Sequence, residues 1–214
     1  MCTWVNPGFT PGTSVTRSIM GVFGGTGATR MKLSVLAAGT LELRARALDS
    51  DAASALTVSV VTLMPAGVWT HVVGVVDYNR ALGSIYINGN LTAAADFSAT
   101  MTKGNTSNTA CTNGCIGANE PGTTNFWLGL NEDARIYGRA MGDTDISTIF
   151  ATRGNDRHLD QIEGRWFLRE KGPGQAMDLA SDLSINQFSG FPTAVTYDNG
   201  TCVPRKRKQV SIGF

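Results

Sequence analysis

Trp69-Thr-His-Val-Val-Gly-Val-Val-Asp77 and Ser84-Ile-Tyr-Ile-Asn-Gly89 are the stretches whose reading decides the fold. The first is rich in β-branched residues and reads as a strand that ends on an acidic residue. The second alternates apolar and polar residues and runs into Asn88-Gly89, a dipeptide suited to the two positive-φ positions of a tight hairpin turn. Leu91-Thr-Ala-Ala-Ala95 is the returning strand. Upstream, Met31-Lys-Leu-Ser-Val-Leu36 alternates, as does Thr40-Leu-Glu-Leu-Arg-Ala-Arg-Ala-Leu48, which puts Leu41, Leu43, Ala45 and Ala47 on one face. Leu56-Thr-Val-Ser-Val-Val61 is one more strand; downstream, Cys115-Ile-Gly-Ala118, Phe126-Trp-Leu-Gly-Leu130 and Asp133-Ala-Arg-Ile-Tyr137 add three others. One helix is expected, N-capped by Asp143 and running through Ala151, with Ile146, Ile149 and Phe150 on its apolar face and Gly154 beyond its end. Many short strands with turn signals at sandwich spacing predict an all-β fold, a sandwich of antiparallel sheets packed face to face.

Composition narrows the classes. Of 214 residues, 42% are hydrophobic and only 16% charged, with 25 glycines, which argues against a helical bundle, a coiled coil or a disordered chain. A net charge of +1 excludes a broad basic face for nucleic acid, and no run of about 20 apolar residues is present to span a membrane. Met1 to Pro7 shows neither the basic nor the apolar region of a secretory signal. The protein is therefore expected to stay where it is made, to leave within a larger particle, or to be part of a longer chain. Cys111-Thr-Asn-Gly-Cys115 could close a small ring if Asn113-Gly114 turns. Zinc lacks a second ligand pair, since the histidines are His71 and His158.

Three phrases then point to a family. Trp69-Thr-His-Val-Val through Ile85-Tyr-Ile-Asn-Gly89, Gly129-Leu-Asn-Glu-Asp-Ala-Arg-Ile-Tyr-Gly-Arg-Ala-Met141, and Cys2-Thr-Trp-Val-Asn-Pro7 together resemble a laminin-G-like domain of the concanavalin A-like lectin/glucanase superfamily. The resemblance covers most of residues 1 to 152 and implies that superfamily's jelly roll. A segment that usually opens such domains is missing before Trp4. Its likeness occurs instead at Ile162-Glu-Gly-Arg-Trp166 through Asp178-Leu179, as in a circularly rearranged domain or a strand donated to a neighbour. The domain is accordingly read as residues 1–154, with 155–214 an extension that completes the sandwich or docks on a neighbour and carries a basic tail at 203–210. The arrangement is similar to laminin-G-like virion proteins of tailed bacteriophages.

Candidate chemistry is sparse. Retaining glycosidases need paired carboxylates about 5 Å apart on one face, whereas Glu132 and Asp133 are adjacent and are expected to face opposite ways on a strand. His71 lies mid-strand and reads as a sheet residue. The Gly24-Gly-Thr-Gly27 stretch reads as a hairpin connection, because no helix pattern follows it. Relatives often hold calcium at the sandwich rim, so the resemblance leaves calcium at Glu132 or Asp133 as an alternative to a structural hydrogen-bonding role. No other cofactor or metal is expected.

A sugar site needs an aromatic surface and amide or carboxylate groups for hydroxyls. Asn119, Glu120, Asn125 and Trp127 are the best local set, against the plainer reading in which Trp127 points into the core. Trp4 and Trp69 are assigned to the core. Arg205, Lys206, Arg207 and Lys208 form a solvated or partner-docking tail, too few charges to read nucleic-acid sequence.

The leading expectation is a non-catalytic, oligomeric decoration or adhesion protein of a virus particle, a bacteriophage capsid or tail accessory assembled in the host cytoplasm against a capsid or other virion protein. The alternative is a lectin-like carbohydrate-binding module. An enzyme is not expected.

Overall fold

A computed structural model describes residues 1–12, 15–24, 29–52, 55–61, 64–109, 113–119, 124–156 and 160–168. Among these residues the chain forms eleven strands and one helix. In order they are β1 (Cys2–Pro7), β2 (Arg17–Phe23), β3 (Thr29–Val35), β4 (Thr40–Ala45), β5 (Leu56–Val61), β6 (Thr70–Asp77), β7 (Leu82–Ile87), β8 (Asn90–Asp96), β9 (Asn113–Ile116), β10 (Gly129–Tyr137), α1 (Asp143–Thr152) and β11 (Ile162–Trp166). A six-stranded sheet runs β11-β10-β1-β6-β7-β8 and a five-stranded sheet runs β5-β4-β3-β2-β9. All the pairings are antiparallel.

Alternation explains the packing between the sheets. Leu41, Leu43 and Ala45 of β4 are fully buried, together with Leu33 and Val35 of β3 and Leu56 and Val58 of β5. They meet Val5, Val72, Val76, Ile85 and Ala134 from the facing sheet in one cluster. Burying each such aliphatic side chain contributes about 1.5–3 kcal/mol. Gly74 and Gly83 keep this contact close. A Cβ on Gly74 would lie 2.8 Å from Leu43 Cδ1, and one on Gly83 would lie 2.7 Å from Val58 Cγ2.

The six-stranded sheet is covered on its other face as well. Val73 and Val75 turn away from the inter-sheet core and join Cys2, Tyr86, Tyr137 and Ile162 beneath α1, which contributes Ile146 and Ile149. Strand β6 is therefore buried from Thr70 to Val76, which is why its sequence reads as continuous valine rather than as alternation. Asn88 (φ 51°) and Gly89 (φ 80°) form the expected turn into β8.

Several expectations change. The helix cap is Gly142 rather than Asp143; Asp143 is the first helical residue, and Asp145 accepts from the Gly142 amide at 3.4 Å. Residues 126 to 128 are not a strand, and β10 begins at Gly129 and runs unbroken to Tyr137. Asn113-Gly114 is not a turn but the start of β9, paired with Val22 and Phe23; Cys111 lies outside the described residues. Trp69 is half-buried just before β6, because the chain there is still leaving the loop at Gly67. Trp4, in contrast, is 5% exposed and stacks on Phe150 at 5.6 Å. The Gly24–Gly27 connection lies largely outside the described residues, although β2 and β3 that flank it are paired.

Strand β11 adds to the β10 edge in the same chain, with Ala134 opposite Trp166 and Arg135 opposite Arg165. Beyond it, Leu168 packs against the inter-sheet cluster. Residues 169–214, including Arg205, Lys206, Arg207 and Lys208, lie outside the described residues.

Candidate functional site

The carboxylates of β10 come first, because their position decides between calcium, catalysis and structure. Asp133 has φ 51°, and the register jumps there: Glu132 pairs with Trp4, while Cys2 pairs with Arg135. This bulge breaks the alternation, so the expectation that Glu132 and Asp133 face opposite ways is overturned, and both are 3% exposed on the side that faces α1.

Asp133 is held by two guanidinium groups. Arg135 donates through Nε at 3.1 Å and Nη2 at 2.6 Å, and Arg165 donates through Nε at 2.8 Å and Nη2 at 3.2 Å. Arg135, itself fully buried, also donates to both oxygens of Asp156 at 2.7 and 2.8 Å. Arg165 caps the set by donating to the Gly154 carbonyl at 2.7 Å. Burial alone would raise the Asp133 carboxyl, but the charge and hydrogen bonds of Arg135, then those of Arg165, outweigh it and hold it below the usual carboxylate range. Both its oxygens are engaged by cations, which is the structural role rather than that of a metal ligand. The network ties β10, β11 and the residues after α1 together.

His71 is equally structural. It is 1% exposed, sits 5.1 Å from the Trp4 ring, and stacks toward Phe150 at 6.1 Å. Burial, helped by the positive charge of Arg135, pushes its pKa down to about 3, so it stays neutral.

The other end of β10 is different. The connection from β9 folds as a hairpin: Trp127 N–H donates to the Gly117 carbonyl at 2.7 Å, and Asn119 N–H donates to the Thr124 carbonyl at 3.0 Å. Of the residues singled out from sequence, Asn119, Asn125 and Trp127 are brought into this one hairpin, while Glu120 lies outside the described residues. The hairpin is pinned to β2, where Ser18 N–H donates to the Asn125 carbonyl at 2.8 Å and Arg17 Nη1 to the Phe126 carbonyl at 3.0 Å.

Trp127 is half-buried and meets Phe9 edge-on at 5.2 Å, and the Arg17 guanidinium lies over the Phe9 ring at 4.7 Å. Trp127 therefore packs on the core with part of its surface and stays at the rim with the rest. Phe126 and Leu128, on either side of it, are 41% and 52% exposed.

Four buried polar atoms lie in this region without a hydrogen-bond partner among the described residues: Arg17 Nε, Asn119 Oδ1, Trp127 Nε1 and Asn131 Oδ1. A Cβ added at Gly117 would sit 3.6 Å from Asn131 Nδ2 and 3.8 Å from Trp127 Cβ, so these groups are neighbours. Ser18 Oγ and Ser34 Oγ are also buried without a partner, but these two residues sit opposite each other on the outer face of the five-stranded sheet beside Glu42, away from Arg17, which sits opposite Val35 of the inter-sheet core. Each buried polar group left unpaired costs about 1–3 kcal/mol, so these groups call for a further partner, an ordered water or a ligand. The roles of Arg17 and Asn131 escaped the sequence reading. Strand β2 itself shows only as the apolar run Ile19-Met-Gly-Val-Phe23, and Asn131 sits within the β10 phrase without distinction.

Among the described residues no group of three or more His, Cys, Asp or Glu is placed to hold a metal ion, and no helix is long and apolar enough to cross a membrane.

Solved structures share the fold. A Bacteroides ovatus protein inferred to bind carbohydrate superposes with a TM-score of 0.59 at 18% identity, covering 83% of this chain and 48% of its own. This chain thus spans about half the length of that protein. A heptameric SAP-like pentraxin from Limulus polyphemus gives 0.54 at 20% identity, covering 80% of this chain and 78% of its own. A carbohydrate-binding module of a Ruminococcus gnavus sialidase, in complex with α2,3-sialyllactose, gives 0.50 at 18% identity, covering 70% and 80%. No curated protein sequence matches. The family model for laminin-G-type domains of the concanavalin A-like lectin/glucanase superfamily matches residues 1–147, and the chain belongs to that family.

Proposed function

We propose that this domain is a non-catalytic carbohydrate-binding module that takes its saccharide at the rim formed by the β9–β10 hairpin and β2. The observation that carries the reading is the set of unpartnered buried polar atoms on Arg17, Asn119, Trp127 and Asn131 beside the exposed ring of Phe126. A sugar offers hydroxyls that both donate and accept, and C–H faces that stack on an aromatic. Amide oxygens, an indole N–H and a guanidinium are the matching set.

The face under α1 also buries two polar atoms without a partner among the described residues, Trp4 Nε1 and His71 Nδ1, but there the rings stack on each other and on Phe150, and Asp133 is engaged by Arg135 and Arg165. Carbohydrate binding is also what is said of two of the structures with the same fold. A virion component is not among the proteins named above, so the carbohydrate reading takes precedence over the particle reading.

The test is a glycan array followed by calorimetry on the best binder. Trp127→Phe keeps a ring but removes the indole N–H, and Asn131→Ala removes an acceptor. Each is expected to weaken binding about fivefold or more while the protein stays folded, the worth of one hydrogen bond. Absence of binding to any glycan on the array, with the protein shown to be folded, overturns the reading.

A further inference from the structure

Arg17 stands apart from the other rim groups because it carries a charge. Arg44, Arg46, Arg135, Arg139 and Arg165 all pair with carboxylates at 2.6–3.3 Å. Arg17 has no carboxylate partner among the described residues. One edge of its guanidinium is fixed, with Nη1 donating to the Phe126 carbonyl at 3.0 Å and the plane lying over Phe9 at 4.7 Å. The other edge is the one formed by Nε and Nη2. Nε is buried and makes no hydrogen bond.

That side edge is a planar two-pronged donor, and it matches the two oxygens of a carboxylate. The stacking on Phe9 and the bond to Phe126 hold the fork in place, so little side-chain freedom is lost when an anion docks. A neutral sugar hydroxyl would engage one prong only and forgo the second charge-assisted bond. Near the fork, Trp127 Nε1 adds a donor, while Asn119 Oδ1 and Asn131 Oδ1 accept from hydroxyls.

We infer that the saccharide bound at this rim is acidic, bearing a carboxylate that the Nε edge of Arg17 receives. This rests on the carbohydrate-binding reading and adds the ligand's charge class to it. Arg17 then discriminates acidic from neutral glycans, and the amide groups read the ring hydroxyls.

The experiment compares the intact chain with Arg17→Gln and Arg17→Lys on carboxylate-bearing oligosaccharides (oligouronates and sialylated glycans), on their carboxyl-reduced counterparts, and on neutral glycans. Thermal melts check that both variants are folded. Acidic glycans are expected to bind, to lose at least about tenfold in affinity when the carboxyl is reduced, and to lose a similar factor with Arg17→Gln. Arg17→Lys keeps the charge but loses the fork and falls between the two. Neutral or carboxyl-reduced glycans that bind as well as acidic ones, or an Arg17→Gln affinity equal to that of the parent, overturn the inference and leave carbohydrate binding standing. No binding of any glycan to the folded parent chain overturns both.

Discussion

Replacing Arg135 by alanine tests whether the buried charge network holds the C-terminal part of the sandwich in place. Arg135 is 0% exposed and makes four donor contacts to Asp133 and Asp156 at 2.6 to 3.1 Å. Removing it takes the guanidinium from the buried Asp156 carboxylate and strips two donor contacts from Asp133, which keeps those from Arg165. Breaking a buried pair from one side costs about 3–5 kcal/mol, because an uncompensated charge remains. For a domain of this size that is a fall of about 6–20 °C in Tm.

The pH dependence carries the sharper signature. In the parent chain the Asp133 carboxyl is depressed, so its stabilisation is present above the unfolded carboxyl pKa of about 3.9 and is lost as pH falls through the lower folded value. In Arg135→Ala the buried carboxylates lose that support and gain stability on protonation. The gap between variant and parent should therefore narrow as pH is lowered from 7 toward 4. Urea denaturation at several pH values, followed by tryptophan fluorescence, measures both quantities. A loss below about 1 kcal/mol at pH 7, or a gap that stays constant with pH, would refute the assignment of the network as a structural clamp.

Two other perturbations address neighbouring parts of the fold. His71 titrates at about 3 when folded but near 6.5 when unfolded, so the unfolded chain binds the extra proton between those values. His71 thereby contributes a loss of about 1.4 kcal/mol per pH unit as pH falls below 6.5, on top of that from the buried Met1 amine, whose pKa is also lowered, and His71→Phe, which keeps an aromatic beside Trp4 and Phe150, should reduce the slope in urea titrations by that amount. Gly129 joins the hairpin to β10 at φ 139°, and a Cβ there would lie 2.2 Å from the Asn6 carbonyl oxygen and 2.7 Å from Gly8 N. Gly129→Ala is expected to destabilise by more than about 2 kcal/mol, since both obstacles are backbone; chemical denaturation that finds it neutral contradicts the close approach of β1 and β10 at the rim.

The architecture was legible where burial follows a simple period. Leu41, Leu43 and Ala45 announce the core face of β4, and Asn88-Gly89 announces the β7–β8 turn, because alternation and positive φ are local properties. The site was legible only in part. Asn119, Asn125 and Trp127 stood out as a sugar-like set within one loop, but Arg17 and Asn131 reach them through the β2–hairpin contacts and the β1–β10 ladder, which no local pattern encodes. The bulge at Asp133 was invisible for the same reason: a single αL residue reverses the facing of its neighbours, and only the register against Cys2 and Trp4 reveals it. The helix cap failed differently. Asp143 has the chemistry of a cap, yet Gly142 takes the position and Asp143 instead accepts from the Tyr86 hydroxyl at 2.6 Å.

The contrast between the two ends of β10 explains where a ligand can act. At the Asp133–Tyr137 end every charge is matched: Arg135 and Arg165 saturate Asp133, Asp156 closes the set, and α1 seals it from solvent. A domain of this size folds with only about 5–15 kcal/mol to spare, so each polar group left without a partner reduces that margin by an appreciable fraction. At the Gly129–Asn131 end such groups accumulate on three segments distant in sequence, β2, the hairpin and β10. Stability alone would favour an apolar residue at Asn131, like the fully buried Ala134 on the same strand. Polar groups kept there against that preference, around a guanidinium whose free edge faces no carboxylate among the described residues, are what the proposed saccharide rim would use.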